Sequence, residues 1–370
     1  MASRGRRCRS ASALKVARTQ TNWFGCRSLC VNDHMRLTQR QELPLRRTFR
    51  FSRLISLCLF AAAITGYPAE TPPVAFTEGN FFAGPQPYAM YVEYFLPVKP
   101  THQTPIVLIH GCCTTGAGFV STPDGREGWA KYFVRHGWKT YVVDQPGHGR
   151  SPMPPDYATM SLQHAVDDNV ALVKKIGRSV FLVHSIGGMI GWKLCETIPD
   201  QVAAIIGVAP VPPANMPKGS FPAASAIGQS FVSSGVGPYL PENQPAWYKL
   251  DAAKGAFASA SLFPAEAMDQ YYPSLVPESP RAINELMNKD GMGLTADPKK
   301  FANVPKVIVT GDQDPRHPRE VDAQTAKFLG ADHIYLADVG LPGHGHPMYL
   351  DKGNEKIAQV ILDWLAKKGL

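Results

Sequence analysis

Short apolar runs alternate with longer amphipathic segments over most of the chain, and this alternation predicts its architecture. The apolar runs predict the strands Phe76–Phe82, Tyr88–Pro97, Pro105–His110, Thr140–Asp144, Ser179–His184, Ala204–Val208, Val304–Thr310 and His333–Val339. Apolar residues at helical spacing predict helices at Trp129–His136, Leu162–Ile176, a segment ending near Thr197, Val321–Phe328 and Lys356–Lys367. Strands that alternate with helices form parallel βαβ units. The sequence therefore predicts an α/β fold with a doubly wound, mostly parallel sheet.

Three polar residues stand at the ends of predicted strands. They are His110, Asp144 and Ser185. Doubly wound sheets bind ligands outside the carboxyl ends of their strands. We therefore expect the functional site at this edge of the sheet.

The alternation stops after the strand Ala204–Val208. From about residue 211 to residue 302 the chain is rich in Pro, Gly, Ser and Ala. A structureless loop of this length is rare in a compact domain, so we expect a partly helical insertion that covers the site as a cap. Its aromatic side chains can line a substrate pocket or form the core of the cap, and the sequence leaves both open. These residues are Phe221, Phe231, Tyr239, Trp247, Tyr248, Phe257, Phe263, Tyr271 and Tyr272.

Charge separates an N-terminal leader from the rest of the chain. The 370 residues carry a formal charge of +8, but residues 1–66 hold 13 Lys and Arg with only Asp33 and Glu42 as acids. The remaining residues hold 25 basic and 28 acidic side chains. Because the body is slightly acidic, nucleic acid and membrane surfaces are disfavoured as its partners.

The leader, residues 1–69, has the order of an export signal. Basic residues precede the apolar run Leu54–Ile64, which is too short to span a bilayer comfortably. We expect export to the periplasm or the medium, with cleavage, and membrane contact only through this signal. Arg46-Arg47 fits a twin-arginine signal as well as an ordinary basic region. If translation begins at Met35, residues 1–34 are not part of the protein.

Three of the seven cysteines lie in the body: Cys112, Cys113 and Cys195. An exported protein meets an oxidising compartment, so the adjacent pair can close a disulfide. Neighbouring Cα atoms are about 3.8 Å apart, below the usual disulfide span, so such a ring is strained. Two unpaired, buried thiols are the competing interpretation.

Ser185 stands between the strand Ser179–His184 and a helix-compatible segment. A serine in such a turn exposes its hydroxyl, and the helix N-terminus favours developing negative charge. The usual pattern is G-x-S-x-G; Gly187 supplies the second glycine, but Val183 occupies the first position. An ordinary strand and helix with a capping serine is the alternative. Because side chains alternate along a strand, we expect His184 to point away from Ser185.

A nucleophilic serine needs a base to accept its proton and a carboxylate to orient that base. The chain provides Ser185, then Asp312 and Asp314 after a later strand, then His344 and His346 in the last loop. This is the Ser, Asp, His order of the α/β-hydrolases.

From Phe76 to its C-terminus the chain resembles an α/β-hydrolase. The motifs that carry the resemblance are His110-Gly111, Asp144–Ser151, Gly311–Asp314 and Gly345–Asp351. The resemblance implies an α/β-hydrolase fold over residues 70–370, with the cap inserted after the strand that follows the nucleophile.

The resemblance also assigns roles within the last two motifs. It implies that Asp314 is the acid of the triad, with Asp312 capping or orienting its loop, and that His346 rather than His344 is the base. His110 is expected to be structural.

Two stretches narrow the resemblance to a small group of bacterial exported carboxylesterases. They are His110–Cys113 and Thr122–Trp129. Members of that group carry a disulfide between neighbouring cysteines beside the oxyanion hole, which implies a Cys112–Cys113 bridge. Their acid is a glutamate after the strand that follows the nucleophile, but Ala209 stands at the matching position. The acid is therefore expected from the later strand, at Asp314.

These assignments predict a serine carboxylesterase that forms an acyl-enzyme. Ser185 attacks an ester carbonyl, His346 moves the proton, and the N–H groups of Cys112 and Ile186, with Cys113 as a third candidate, hold the oxyanion. The expected partner is a small-molecule ester. No cofactor and no metal are expected, and a homodimer is left open.

Other activities use the same machinery, because a fold does not fix a function. A lyase or a perhydrolase is one alternative. Epoxide hydrolases and haloalkane dehalogenases are disfavoured because they use an aspartate where Ser185 stands. A non-catalytic ligand-binding descendant is the alternative of a different class, motivated by Val183 and Ala209.

Overall fold

The structure is a computed structural model, and it describes residues 75–217, 227–232 and 238–370. The predicted leader, residues 1–69, and the cap residue Phe221 lie outside the described residues. In the part of the chain that is described, no helix has the length and apolar character needed to cross a membrane.

The sheet that dominates the fold has eight strands in the order β1-β2-β4-β3-β5-β6-β9-β10. A separate two-stranded pair is formed by β7 and β8. The strand bounds are β1 (Phe76–Ala83), β2 (Met90–Pro97), β3 (His102–Ile109), β4 (Trp138–Asp144), β5 (Ser179–His184), β6 (Val202–Val208), β7 (Phe231–Val232), β8 (Trp247–Tyr248), β9 (Lys306–Thr310) and β10 (Asp332–Tyr335). Strand β2 is antiparallel to both β1 and β4, and the other neighbouring strands are parallel. The predicted mostly parallel, doubly wound sheet is confirmed.

Helices connect the parallel strands. Their bounds are α1 (Ala117–Val120), α2 (Trp129–Arg135), α3 (Leu162–Ile176), α4 (Gly187–Thr197), α5 (Leu250–Phe257), α6 (Met268–Tyr271), α7 (Pro280–Leu286), α8 (Arg319–Leu329) and α9 (Asn354–Lys367). Strands β5, β6 and β9 are buried along their whole length. Strands covered on both faces read as continuous apolar runs, which is why the sequence pattern located them.

One predicted strand is too long. The sequence predicts a strand over His333–Val339, but β10 ends at Tyr335 and Leu336–Val339 forms a 3-10 turn. Strand β10 is the last of the sheet, and its register with β9 pairs Tyr335 with Thr310. Because β9 ends at Thr310, it offers no strand partner to Leu336–Val339, whose carbonyl groups accept hydrogen bonds within the turn instead.

The described part of the cap contains β7, β8, α5, α6 and α7. Three of its aromatic side chains pack together as a small core of the cap. The ring centroid of Tyr271 lies 6.0 Å from that of Phe257 and 5.8 Å from that of Phe263. Trp247 is exposed, so it serves neither of the two roles expected from the sequence.

The valine that departs from the G-x-S-x-G pattern is accommodated by a glycine on the facing helix. A Cβ atom at Gly191 of α4 would lie 2.8 Å from Val183 Cγ1 and 2.7 Å from Ile205 Cδ1. The glycine that makes room for close packing is therefore on the helix, at Gly191, and not on the strand. The turn at Ser185 keeps its close packing because Gly191 leaves room for Val183.

We predict that Gly191→Ala destabilises the fold by about 1–2 kcal/mol, because overpacking outweighs the gain in helix propensity. Combining it with Val183→Ala, which removes both γ carbons but leaves Ile205 Cδ1 in place, should recover part of that loss. A double-mutant cycle by urea unfolding measures the coupling between the two positions. Additive effects would contradict this account of the turn.

Candidate active site

The nucleophile candidate lies on a turn that the backbone strongly constrains. Ser185 has φ 54°, in the left-handed region that few residues other than glycine adopt. Its carbonyl oxygen accepts hydrogen bonds from the N–H groups of Gly188 and Val211, both at 2.8 Å. A Cβ atom at Gly187 would lie only 3.0 Å from the carbonyl oxygen of His110. The two hydrogen bonds, and the close approach that the glycine allows, hold the strained turn between β5 and α4 in one conformation.

Three side chains from distant parts of the chain form one hydrogen-bonded relay. His346 Nε2 lies 3.0 Å from Ser185 Oγ, and His346 Nδ1 lies 2.8 Å from Asp314 Oδ2. Ser185 and Asp314 are 7% and 6% exposed, and His346 is 1% exposed. The structure thus brings together the three residues expected to form the triad.

Charge at the relay favours the protonation states that a base and its partner need. Burial lowers the pKa of His346 below its ordinary value, although the Asp314 carboxylate raises it. Burial alone would raise the pKa of Asp314, but His346 and two backbone N–H groups hold it well below its usual range. At neutral pH the imidazole can therefore accept a proton, and the carboxylate can hold the tautomer with the proton on Nδ1.

The alternative acid and base have other contacts. Asp312 Oδ1 accepts hydrogen bonds from Gly343 N–H at 2.7 Å and from His344 N–H at 3.2 Å. His344 Nδ1 lies 3.1 Å from Asp351 Oδ2. Both residues shape the loop that carries His346. Ala209, which stands where the resembling esterases carry glutamate, is fully buried and supplies no carboxylate.

His184 contacts the backbone of the candidate base His346, a role that sequence reasoning missed. Its Nε2 lies 3.0 Å from the carbonyl oxygen of His346, and the two rings are 4.8 Å apart. Burial, followed by the nearby His346, lowers the pKa of His184 well below its ordinary value. The neutral ring donates its Nε2–H to that carbonyl and fixes the backbone at His346.

The adjacent cysteines are joined by a disulfide. The bridge that the resemblance implied is therefore present, and the unpaired thiols are excluded. Cys113 has φ 62°, so the backbone turns sharply within the pair. Cys112 lines the same cavity as Ser185 and His346.

The expected oxyanion donors require one correction. The N–H of Cys113 donates to Glu278 Oε2 at 3.3 Å, so it is engaged by the cap and is not available to an oxyanion. Among the described residues, no acceptor receives the N–H of Cys112 or of Ile186. These two groups remain as the candidate donors.

The cap holds the disulfide turn from both sides of Cys113. Val276 N–H donates to the carbonyl oxygen of Cys113 at 2.9 Å, while Glu278 accepts its N–H. Glu278 is itself buried and lies 3.1 Å from His148 Nε2, and the Tyr157 hydroxyl is 3.4 Å from its other oxygen. No motif marks Glu278 or Tyr157 in the sequence, so only the fold identifies this contact.

Glu278 and His148 form a buried ion pair. Burial alone opposes both charges, but their mutual attraction raises the pKa of His148 and lowers that of Glu278. The second ring nitrogen, His148 Nδ1, lies 3.1 Å from the carbonyl oxygen of Pro146. Since both ring nitrogens face acceptors, the imidazolium form fits this position best.

His110 is held as a neutral ring, in keeping with the expected structural role. Gln145 N–H donates to His110 Nε2 at 3.0 Å, which leaves the proton on Nδ1 for the carbonyl oxygen of Gly111 at 2.8 Å. Burial and the charge of His148 lower the pKa of His110 to about 4. The ring thus fixes the backbone just before the disulfide turn.

The stretch Thr122–Trp129 anchors the far end of the loop that carries His346. The guanidinium of Arg126 donates to the carbonyl oxygens of Leu350 at 2.6 Å and Asp351 at 2.7 Å. The indole N–H of Trp129 donates to the carbonyl oxygen of Asn354 at 2.8 Å. A motif that the sequence marked only by resemblance therefore has a physical role.

The relay opens into a cavity of about 300 Å³ beneath the cap. Most of its wall is apolar and comes from the cap, including Phe231, Tyr248 and Ile283. Two expected pocket aromatics therefore line the cavity. A cavity of this size holds a small ester.

His317 is a second histidine at the relay that sequence reasoning missed. It lines the cavity, and its ring stacks on His346 with 5.3 Å between centroids. Its Nδ1 lies 2.9 Å from Asp322 Oδ1. Ligand atoms of Asp314, His317 and His346 lie within 4.8 Å of one another, but Asp314 and His346 bind each other, so a metal ion there would have to break the relay.

Comparisons with known proteins identify the family and the fold. The model of a family described as "Alpha/beta hydrolase family" matches residues 106–360. The fungal protein "Probable secreted lipase phiG" is 25% identical over an alignment of 340 residues, and the match covers 76% of this chain and 86% of that protein.

Two solved structures share the fold. A novel bacterial esterase matches with a TM-score of 0.51 and 20% identity, over 80% of this chain and 98% of that one. A thermophilic esterase from Thermogutta terrifontis matches with a TM-score of 0.54 and 16% identity, over 79% of this chain and 98% of that one.

We predict that Glu278→Gln lowers kcat about 10-fold or more, because a misplaced oxyanion donor loses part of its contribution of about 3 kcal/mol. Without the Glu278 charge, the pKa of His148 should fall. The loss of activity at alkaline pH should therefore begin at a lower pH in this variant than in the parent. Rate measurements from pH 5 to 10 test both effects.

Glu285→Gln is the matched control for this change. Glu285 is another buried cap glutamate, and it accepts from the N–H of Leu162 at 2.8 Å rather than from the disulfide turn. The Glu285→Gln substitution should change the stability of the protein far more than its kcat. Equal losses of kcat in the two variants would show that Glu278 acts only through the packing of the cap.

We also predict that kcat/KM for a neutral ester rises with an apparent pKa below 6.5, the ordinary value for histidine. Because burial disfavours the imidazolium, the base is already free at pH 7, and the profile should be flat from there to mildly alkaline pH. A pH series with a neutral aryl ester measures it. An apparent pKa well above the ordinary value would contradict the burial of His346.

Proposed function

Because the chain belongs to the alpha/beta hydrolase family, we propose that it is a serine carboxylic-ester hydrolase that works through an acyl-enzyme. The observation that carries the proposal is the relay from Ser185 through His346 to Asp314 at the base of an apolar cavity. Nucleophile, base and orienting carboxylate in this order are what acyl transfer to a serine requires.

In the proposed reaction, Ser185 Oγ attacks the ester carbonyl as His346 Nε2 takes its proton. The negative charge that develops on the carbonyl oxygen is stabilised by the N–H groups of Ile186 and Cys112. His346 then donates its proton to the departing alcohol. Water, deprotonated by the same ring, attacks the acyl-enzyme and releases the acid.

The disulfide gives the proposed oxyanion hole its rigidity. The bridge confines Cys112, while Val276 and Glu278 of the cap hold Cys113. A donor that is already fixed costs no reorganisation when charge develops on the substrate. The substrate is therefore expected to meet a preformed site.

We further propose that the protein is exported. The sequence of the leader, with its apolar run Leu54–Ile64, supports this location. The disulfide supports it as well, because such bonds persist in oxidising compartments. One relative has the word "secreted" in its name.

We predict that a fluorophosphonate probe labels Ser185 and that the full chain hydrolyses 4-nitrophenyl acetate. Ser185→Ala should abolish both, and Asp314→Asn should lower kcat by about 10⁴-fold through the wrong tautomer of His346. Peptide mass spectrometry and steady-state rates are the measurements. Asp312→Asn, in the same loop, is the matched control and should cost far less.

The outcomes separate the alternatives. Turnover that survives in Ser185→Ala would remove the proposed mechanism. Labelling of Ser185 without hydrolysis of any ester would favour a lyase or another activity of the fold, and absence of both would favour a ligand-binding protein.

A further inference from the structure

A guanidinium group lies in the wall of the cavity that contains the Ser185 hydroxyl. The side chain of Arg316 lines this cavity together with Ser185 and His346. Its backbone N–H donates to Asp314 Oδ1 at 2.8 Å, while Asp314 Oδ2 faces His346. The loop that positions the base therefore also positions a cation beside the reacting groups.

Arg316 has no anionic partner within the described residues. Its guanidinium donates to the Tyr248 hydroxyl, and its central carbon lies 5.5 Å from the ring centroids of both Tyr248 and Phe257. Arg316 forms no ion pair with any carboxylate of the described residues. The cap segments 218–226 and 233–237, outside the described residues, contain no Asp or Glu, so they cannot supply one.

The surroundings make an unpaired charge costly. Burial lowers the pKa of Arg316 to about 10, so the group is still charged at neutral pH. No aspartate or glutamate is among the described residues that line the cavity. Aromatic faces offset part of the cost of desolvating a cation, but a charge in an apolar cavity is fully compensated only by an opposite charge. The missing anion can come from the substrate.

We propose that Arg316 determines specificity and that the preferred substrate is a small ester carrying a second, ionised carboxylate, such as a monoester of a short dicarboxylic acid. This inference rests on the proposed ester hydrolysis and names its substrate class. A guanidinium binds a carboxylate through two parallel hydrogen bonds. One positive charge matches one carboxylate, whereas a phosphate monoester brings almost two negative charges. The cavity of about 300 Å³ fits such a molecule.

The test compares esters that differ only in charge. Monoethyl succinate is paired with its amide, ethyl succinamate, and acetoxyacetic acid with acetoxyacetamide, so that the carboxylate lies on the acyl side or on the alcohol side. For at least one pair, kcat/KM should favour the acid over the amide by about 10- to 100-fold, the factor of a charged hydrogen bond. A pH-stat follows all four esters.

Variants then assign the preference to Arg316. Arg316→Met should reduce the acid-to-amide ratio about 10-fold or more, mainly through KM, and Arg316→Lys should retain an intermediate ratio. The control is Arg281→Met, which removes the same charge from the cap at a side chain paired with Glu285 and Glu242. Its ratio should equal that of the parent.

Three results would overturn the inference. The first is a parent enzyme whose kcat/KM is the same for acid and amide in both pairs. The second is an Arg316→Met variant whose kcat/KM falls equally for acid and amide. The third is an Arg281→Met variant whose acid-to-amide ratio falls as much as that of Arg316→Met. The second would mean that Arg316 only packs against Tyr248 and Phe257.

Failure of the proposed function has a different signature. In that case neither these esters nor 4-nitrophenyl acetate is turned over. Calorimetric binding of monoethyl succinate to the Ser185→Ala variant still tests the site, since binding should be lost when Arg316→Met is added. Absence of such binding in Ser185→Ala would count against the anion site itself.

Discussion

The left-handed backbone at Ser185 is the constraint on which the site depends. Such a conformation costs about 1–3 kcal/mol and persists only where its surroundings fix it. Here those surroundings are the buried strand β5, the hydrogen bonds to the Ser185 carbonyl, and glycines at positions where a Cβ atom would collide. Val183 fits because Gly191 faces it, so the turn is maintained by a complementary pair rather than by the usual glycine.

The cap does more than close the cavity. Val276 and Glu278 bind Cys113 through its carbonyl and its N–H, so the position of the cap and the geometry of the candidate oxyanion donors are linked. The buried pair Glu278 and His148 extends this link into the core. The proposed enclosure of the substrate and the proposed stabilisation of the oxyanion therefore depend on the same contacts.

The charges around the cavity are unevenly distributed. The carboxylate of Asp314 is fully engaged by His346 and two backbone N–H groups. Within the described residues, by contrast, the guanidinium of Arg316 contacts only a hydroxyl and aromatic rings. This imbalance is the physical basis of the proposed substrate class.

The sequence by itself determined the order and type of the main elements, because buried parallel strands and amphipathic helices leave periodic patterns that depend on neighbouring residues alone. It also singled out Ser185, Asp314 and His346, since strand ends and loop motifs are local features. The contacts of Glu278, His184 and Arg316 were decided only by the tertiary structure. Each of these joins segments far apart in the chain, and no local pattern records which buried polar group will meet which partner.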